Sequence, residues 1–267
     1  MKPTNKFAAK SLLAVALITA GLSVHAETPE EKGHSIYVEA DKRGRGYVDT
    51  TGSLLMVLTD KNGETSERQM NVKSLEGPEE DGDKTLMVFE TPKDQQGTAL
   101  LTYQHKSRDD DQWLYLPALK RNKKIASSSK SGPFMGSEFS FEDVGGAQVD
   151  DYSYKYLRDE TVDGQDCWVV ESYPKDENSG YTKVDTWVDK QNYRALKAEF
   201  YDRKNSHLKT LTSTNFKLYL DKFWRAGELN MVNVQTGKST KLVTKDLQFK
   251  TGLKETDFTQ NSLQRAH

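Results

Sequence analysis

The chain of 267 residues has a single cysteine, Cys167, so no disulfide can form within it. A domain built this way depends on its core and its hydrogen-bonded sheet, and the thiol in "DCWVVE" reads as a small buried hydrophobe. Histidine is scarce: beyond the N-terminal segment only His34, His105, His207 and His267 occur, widely spaced and outside any H-E-x-x-H pattern. Neither a metal centre nor a cofactor is expected from them. The acidic run Asp109-Asp110-Asp111 lacks the interleaved spacing and the glycine of a calcium loop, so it reads as a solvated turn. A G-x-S-x-G elbow and the phosphate-binding glycine patterns are also missing. After residue 26 there is no long apolar run, hence no transmembrane segment is expected in the rest of the chain.

What the N-terminus does contain is the signature of a secretory signal peptide. "MKPTNKFAAK" has three lysines and no acid, "SLLAVALITAGLSV" is apolar, and "VHA" ends in small residues suited to cleavage after Ala26. The apolar core from Leu12 to Val24 is shorter than the ~20 residues that a spanning helix needs. Removing residues 1–26 takes three of the 38 basic residues and none of the 40 acidic ones, which leaves a net charge near −5. That balance argues against a nucleic-acid partner. Residues 27–267 show no linker or repeat and read as one β-rich domain of ordinary size.

Thr28, Pro29 and Glu31 supply an N-cap, a first-turn proline and a capping-box acid, predicting a short helix to about Asp41, weakened by Gly33 and stopped by Gly44 and Gly46. From Gly46 onward the texture is β. "GYVDTTGSLLMVLTD" and "ETSERQMNVKSLE" flank an Asn62-Gly63 hairpin signal, and further strands follow at short, turn-like joins, including "QWLYLPAL", "DCWVVESYP" and "HLKTLTSTNFKLYL". Short joins predict antiparallel neighbours and a meander of roughly eleven or twelve strands. Some strands alternate cleanly, with Met70 and Val72 set against Gln69, Asn71 and Lys73. Trp113 to Leu119 is apolar on both faces, so its second side must be covered, and Pro117 places it at an edge or bulge.

A sheet of that many strands encloses more space than its own side chains readily fill. Two outcomes stay open on this ground: a flattened two-layer sandwich, or a strongly curved, incompletely closed antiparallel β-barrel with short capping helices and an apolar cavity. One catalytic pattern can be weighed. Ser127-x-x-Lys130 and Lys250-Thr251-Gly252 match two of three elements of penicillin-binding serine enzymes. That nucleophile stands at the start of a buried helix, whereas Ser127 lies in a Ser/Lys linker that runs into Ser131-Gly132-Pro133, and no S-D-N intervenes. No catalytic residues are assigned.

The cationic run Lys120, Arg121, Lys123 and Lys124, with Lys130 just beyond, stands out in an acidic chain. It reads either as a charge-protected edge or as a docking surface for anionic headgroups or an acidic partner. The aromatics Trp113, Tyr115, Trp168, Trp187, Phe200 and Trp224 are core residues unless a void is enclosed, in which case they line it.

The succession "GTALLTYQHK", "DDDQWLYLPALKRNKKIASSSKSGPFMGSEFSFED", "SGYTKVDTWVD", "DKFWRAGELNMVNVQTGKST" and "TGLKETDFTQNSLQR" resembles the outer-membrane lipoprotein-sorting-protein-like family, relatives of the periplasmic lipoprotein carrier LolA. The likeness spans about Gly44 to Arg265, and long compound motifs such as "LYLPALKR" and "SGPFMGSEF" carry it. It implies an incomplete barrel with a helical lid, located in the periplasm. It also implies a non-enzymatic carrier that binds acyl chains of lipids or lipoproteins, and an inner-membrane exporter of the RND type as partner. "PFMGSEF" is not a motif of the lipoprotein carrier itself, so cargo identity does not transfer. On this reading Met70, Val72, Leu101, Tyr103, Trp113, Tyr115, Trp168, Trp187, Phe200 and Trp224 are candidates to line the cavity. Phe134 and Met135, in a Gly132 to Gly136 hinge, would stand over its mouth. Lys120, Arg121, Lys123, Lys124 and Lys130 would form a cationic lip. The alternative from another class is an exporter adaptor with a filled core and no cargo.

Overall fold

The computed structural model describes residue 1 and residues 26–78, 81–106 and 108–264. The expected leader and its cleavage lie outside the described residues, apart from residues 1 and 26. Among the described residues no helix is long and apolar enough to cross a membrane.

Thr28 starts the first helix through a reciprocal capping box. Its hydroxyl accepts the Glu31 N–H at 3.1 Å while the Glu31 carboxylate accepts the Thr28 N–H at 2.8 Å. Helix α1 then covers Pro29–Gly44, one turn longer than the expected end at Asp41. Gly33 has a positive role here, because a Cβ at this position would come within 2.8 Å of the Tyr156 backbone nitrogen. The bare glycine lets α1 lie directly on a strand.

Strands β1 (Asp49–Thr59), β2 (Thr65–Leu75), β3 (Lys84–Thr91), β4 (Ala99–Tyr103), β5 (Asp111–Leu116) and β6 (Arg121–Lys124) form a first meander. After helix α2 (Phe141–Gly145) come β7 (Tyr152–Val162), β8 (Gln165–Pro174), β9 (Tyr181–Asp189), β10 (Ala195–Asp202) and β11 (His207–Thr214). The chain ends with β12 (Lys217–Tyr219), β13 (Phe223–Arg225), β14 (Glu228–Asn233), β15 (Ser239–Phe249) and helix α3 (Gln260–Gln264). One 13-stranded antiparallel sheet runs in the order β6-β5-β4-β3-β2-β1-β15-β14-β11-β10-β9-β8-β7, with β12 and β13 in a separate ribbon. β6 and β7 are its edges, so the sheet is curved and not closed by hydrogen bonds. It is an incompletely closed barrel, and the two-layer sandwich is set aside because one continuous sheet supplies the core. Bulges such as that between Thr51 and Ser53 of β1 bend its long strands.

The topology has a strong consequence. β6 and β7 are consecutive in sequence but sit at opposite edges, so residues 125–151 must cross the opening. This crossing segment carries Ile125, Phe134 and Phe139 into the inner core, where they pack with Met56, Met70, Phe89, Leu100, Leu114, Met231 and Leu242.

Two sequence expectations need correction. The run Trp113 to Leu119 is a strand only to Leu116; Pro117–Leu119 is a 3-10 turn, Lys120 adopts a left-handed conformation (φ 48°), and the chain reverses into β6. The cationic run is therefore largely the sheet's edge strand, and Pro117 marks the end of its neighbour. His207 to Leu220 also divides, at Asn215 (φ 54°), into β11 and the separate β12. The double-sided apolar character of β5 has a simple cause: Leu114 faces the crossing segment, while Trp113 and Tyr115 face the C-terminal segment around Phe258 and Leu263.

That C-terminal segment is anchored by Asp49, which is buried and accepts the Thr251 N–H at 2.7 Å, the Thr251 hydroxyl at 2.5 Å and the Gly252 N–H at 3.2 Å. The Lys250-Thr251-Gly252 match is this turn. Ser127, the other half of that pattern, opens a 3-10 turn and donates its hydroxyl to Asp109 at 2.5 Å.

Candidate functional site

The inner face of the sheet is covered in two ways. Over β1 to β6 and the middle strands the crossing segment fills it, and Phe134 is 0% exposed there. Over β7 to β10 the cover is α1, which is narrower than the surface beneath it. Ile36 fits against Tyr154, Val170 and Val188, and beside this contact a cavity of about 340 Å³ remains. Its walls are Tyr37, Ala40 and Asp41 of α1, residues 147–149 of the crossing segment, and Tyr152, Tyr154, Ser172, Val184, Thr186, Ala195, Ala198 and Phe200 of β7 to β10. Small side chains at Ala40, Ala195 and Ala198 keep the space open.

The cavity has little charge. Tyr37 stacks on Tyr154 with centroids 4.3 Å apart. Burial raises the phenols of Tyr37, Tyr152 and Tyr154 above their ordinary value, so all three stay neutral and act as apolar walls with a polar rim. Asp41 is the one ionisable acid among the lining residues. A neutral, mostly apolar slot at the lower end of small-molecule pocket sizes, ~300–1,000 Å³, suits a single aliphatic chain.

The structure distributes the sequence candidates over several places. Phe200 lines this cavity, and Trp168 packs beneath α1 against Tyr193 at 5.0 Å. Met70, Phe134 and Met135 belong to the filled part of the inner core, and Val72 is half-buried on β2. Phe134 is thus a plug and not a cover over a mouth. Leu101, Tyr103, Trp113 and Tyr115 lie on the opposite face under the C-terminal segment, where the Tyr103 hydroxyl donates to the Phe258 carbonyl. Trp187 packs on that outer side with Cys167, Val169 and Leu196. Trp224 lines a neighbouring cavity beneath the C-terminal end of α1. Tyr37, Tyr152, Tyr154 and Ala198 escaped the sequence reading, although the period-two tyrosines of "YSYKY" show that one face of β7 is aromatic.

Lys120, Arg121 and Lys123 are exposed at the β6 edge and have no carboxylate partner among the described residues. Lys124 pairs with Asp111 at 2.6 Å, and Arg108 reaches the same carboxylate at 2.7 Å. Lys130 stands apart from this group. It is buried at the seam, in a cleft lined by Arg108 to Asp110 on one side and Asp150 to Tyr152 with Pro174 to Asp176 on the other. The two ends of the curved sheet approach each other here.

Three acids of the seam, Asp110, Glu142 and Asp151, are all raised by burial. For Asp110 burial outweighs the His105 N–H it accepts (3.0 Å) and the Lys130 charge, and the carboxyl is pushed up to about 6. An unfolded aspartate titrates near ~3.9. The native state therefore holds this proton more tightly, and the group's contribution to stability is full below about pH 4 and lost as pH rises through about 6. Asp110→Asn keeps the acceptor oxygen and removes the charge. It should stabilise the protein by ~1–2 kcal/mol at about pH 7.5, a few degrees in Tm, and by almost nothing near pH 4. Thermal melts of both proteins at the two pH values check this, and a pH-independent difference would contradict it.

A family model described as uncharacterized protein matches residues 81–265. The crystal structure of an outer membrane lipoprotein-sorting protein domain from Vibrio parahaemolyticus is 52% identical, with a TM-score of 0.86, covering 88% of this chain and all of that one. A DUF1329 family protein from Desulfovibrio piger is 28% identical, with a TM-score of 0.83 over 88% of this chain and 99% of its own. A LolA superfamily protein from Nitrosomonas europaea, 23% identical over 86% of this chain and 98% of its own, has a TM-score of 0.70 and shares the fold. Among curated proteins no match is found.

Proposed function

This chain belongs to the LolA-like family of outer-membrane lipoprotein-sorting domains, and from that premise we propose that it is a non-enzymatic periplasmic carrier that binds the acyl chains of lipids or lipoproteins. The observation that carries the reading is the neutral, alanine- and tyrosine-lined cavity under α1. Each methylene moved from water into it contributes ~0.8 kcal/mol, so ten methylenes supply ~8 kcal/mol of gross driving force. Release then requires α1 to shift or a partner to take the chain. An inner-membrane RND-type exporter is the partner we assign to the exposed Lys120, Arg121 and Lys123 edge.

Ala40 stands at the end of the cavity, and its replacement by tryptophan places an indole in the space an acyl chain would use. Ala40→Trp is expected to weaken uptake of a fluorescent fatty acid by about tenfold or more, ~1.4 kcal/mol, with Tm within a few degrees of the parent. Fluorescence titration and native mass spectrometry of gently purified protein provide the check. A parent protein that is always empty and takes up no acyl probe would overturn the carrier reading. It would favour the second reading, an exporter adaptor, which draws support from the plugged inner face around Phe134 and the exposed cationic edge at Lys120, Arg121 and Lys123.

A further inference from the structure

The apolar cavity shares two of its walls with a neighbour. Ala40 and Ala195 also line a second, larger space of about 710 Å³ beneath the C-terminal end of α1. The two spaces share these walls and differ in chemistry. The second is walled by Tyr193, Phe216 and Trp224 and carries Arg43, Arg194, Lys222 and Arg225. We propose that this cavity receives the phosphate head of an anionic membrane lipid whose acyl chain lies in the adjoining apolar slot. The inference rests on the carrier reading and adds the class of cargo.

Charge accounting favours Lys222 and Arg225 as the groups that meet the phosphate. Arg43 is paired with Glu39 at 2.7 Å and lies over Tyr193 at 4.1 Å. Arg194 is paired with Asp189 at 2.6 Å and is held between Phe216 and Trp224 at 4.9 and 4.8 Å. Those two build the wall, with their charges already answered. Lys222 and Arg225 have no ion-pair partner among the described residues. Asp221, at the rim, is the carboxylate among the lining residues. Lys222 Nζ donates to Arg45 O at 2.5 Å and lies over the Phe223 ring at 4.9 Å; Arg225 donates to Gly44 O at 3.4 Å and Trp224 O at 3.1 Å, lies over the Tyr47, Phe223 and Phe249 rings, and feels the Asp83 and Glu76 carboxylates at longer range.

A plainer role for these cations is to cap the C-terminus of α1, where a positive charge is stabilising. Capping does not account for two cations without an ion-pair contact among the described residues around an open, aromatic-walled space that shares walls with an apolar slot. Nor does it account for the β12–β13 ribbon at the rim. Its turn holds Leu220 and Asp221 in left-handed conformations (φ 49° and 53°), and Leu218 and Leu220 are 44% and 54% exposed beside Lys217 and Lys222. A bulky residue in that region is strained. Exposed leucines interleaved with lysines are what an anionic membrane surface attracts, which is why the source of the phosphate is a lipid and not free phosphate.

The test compares two ligands with the same acyl chain, a monoacylglycerol and its phosphate ester, titrated into the full protein at low salt. The phosphate ester should bind about tenfold or more tightly. In Lys222→Gln/Arg225→Gln that advantage should fall to about twofold or less, with monoacylglycerol affinity unchanged as the internal measure of an intact slot. If the double variant does not fold, Lys222→Gln alone, at an exposed turn, should reduce the advantage by about threefold. Equal binding of the two ligands by the parent would overturn the phosphate site while leaving the carrier reading in place. Binding of neither would overturn both. A full advantage retained in the variants, or inorganic phosphate alone binding as tightly as the ester, would overturn the assignment to a lipid head at these residues.

Discussion

Phe134→Ala is expected to destabilise the protein by ~3–5 kcal/mol, the cost of a large buried aromatic truncated in a core that collapses only partly. For a domain of this size that is a drop in Tm of roughly 10 °C or more. The magnitude follows from position. Phe134 is 0% exposed, its ring lies 5.8 Å from Phe89 and edge-on to Phe141 at 5.5 Å, and its neighbours include Leu100, Leu114 and Phe139. The backbone is fixed as firmly as the ring: Phe134 N–H donates to Phe139 O at 2.7 Å, and Met135 turns the chain at φ 50°. The void left behind would be lined by Phe, Leu and Met side chains, and such a space stays dry and binds apolar guests. A second expected result is therefore additional acyl-chain uptake by the variant. Denaturant titration with lipid-binding stoichiometry checks both parts. A residue that merely shut a mouth would alter uptake kinetics and leave Tm within a degree or two, and that pattern would sink the plug assignment.

The second large effect is expected at Lys209, on β11. Its side chain is 5% exposed and its ammonium donates to Asp143 Oδ2 at 2.6 Å and to the Glu138 carbonyl at 2.9 Å. Asp143 is 8% exposed and also accepts from the Tyr181 hydroxyl at 2.9 Å and the Ser140 N–H at 2.6 Å. This cluster is the polar rivet that fastens the crossing segment to the sheet. Burial, followed by the Asp143 charge, holds the Tyr181 phenol well above its ordinary value, so it remains a donor. Lys209→Met removes the cation of that contact and strands a buried carboxylate, at ~3–5 kcal/mol. Adding Asp143→Asn should return part of the loss, because an uncharged amide needs no counter-ion even though the Ser140 cap is weakened. Equilibrium unfolding of both single variants and the double variant checks the coupling. Additive losses without recovery would show that the two groups are not acting as a pair.

Both effects converge on residues 125–151, the part of the chain whose character was hardest to read. The alternation of polar and apolar residues in "SERQMNVKSL" is a local signal, and it correctly marks Met70 as the buried position. The Thr28–Glu31 capping box is local as well and appears as expected, although α1 runs on to Gly44. The stretch "KSGPFMGSEFSFED" holds its information elsewhere. Phe134 and Met135 flanked by glycines look like a mobile cover, and nothing within the stretch says that Phe89 and Leu100 wait across the sheet to receive the ring. Likewise "KRNKK", whose apolar content is nil, reads equally as a solvated loop or a charge-protected edge, and backbone pairing with β5 makes it the edge strand. Edge strands need only one neighbour, and their side chains need not be apolar on either face.

The candidate site divides in the same way. Aromatic candidates were legible as residues that would be inside something, but the face each one takes depends on strand register. Leu100 and Leu101 are adjacent in sequence and belong to opposite faces. A single-residue change of register or one bulge sends a side chain to the other side of the sheet. The bulge between Ala195 and Lys197 makes that choice on β10, where Ala195 lines the cavity and Leu196 packs outside.

From the amino-acid sequence alone came the β-rich antiparallel class, the opening helix, the absence of disulfide and metal chemistry as an expectation, and the family likeness. These depend on short-range periodicity, capping and turn chemistry, or on compound motifs that can be read along the chain. Only the tertiary structure decided that the inner face is filled at one end and hollow at the other, that Phe134 plugs and Phe200 lines, and that Lys222 and Arg225 stand around a second space sharing walls with the tyrosine-lined cavity. Each of these is set by contacts between residues far apart in the chain, such as Gly33 on Tyr156 and Arg225 on Gly44. Whether a cavity exists is the small difference between the space a curved sheet encloses and the volume of the segments that cross it, and no local pattern records that difference.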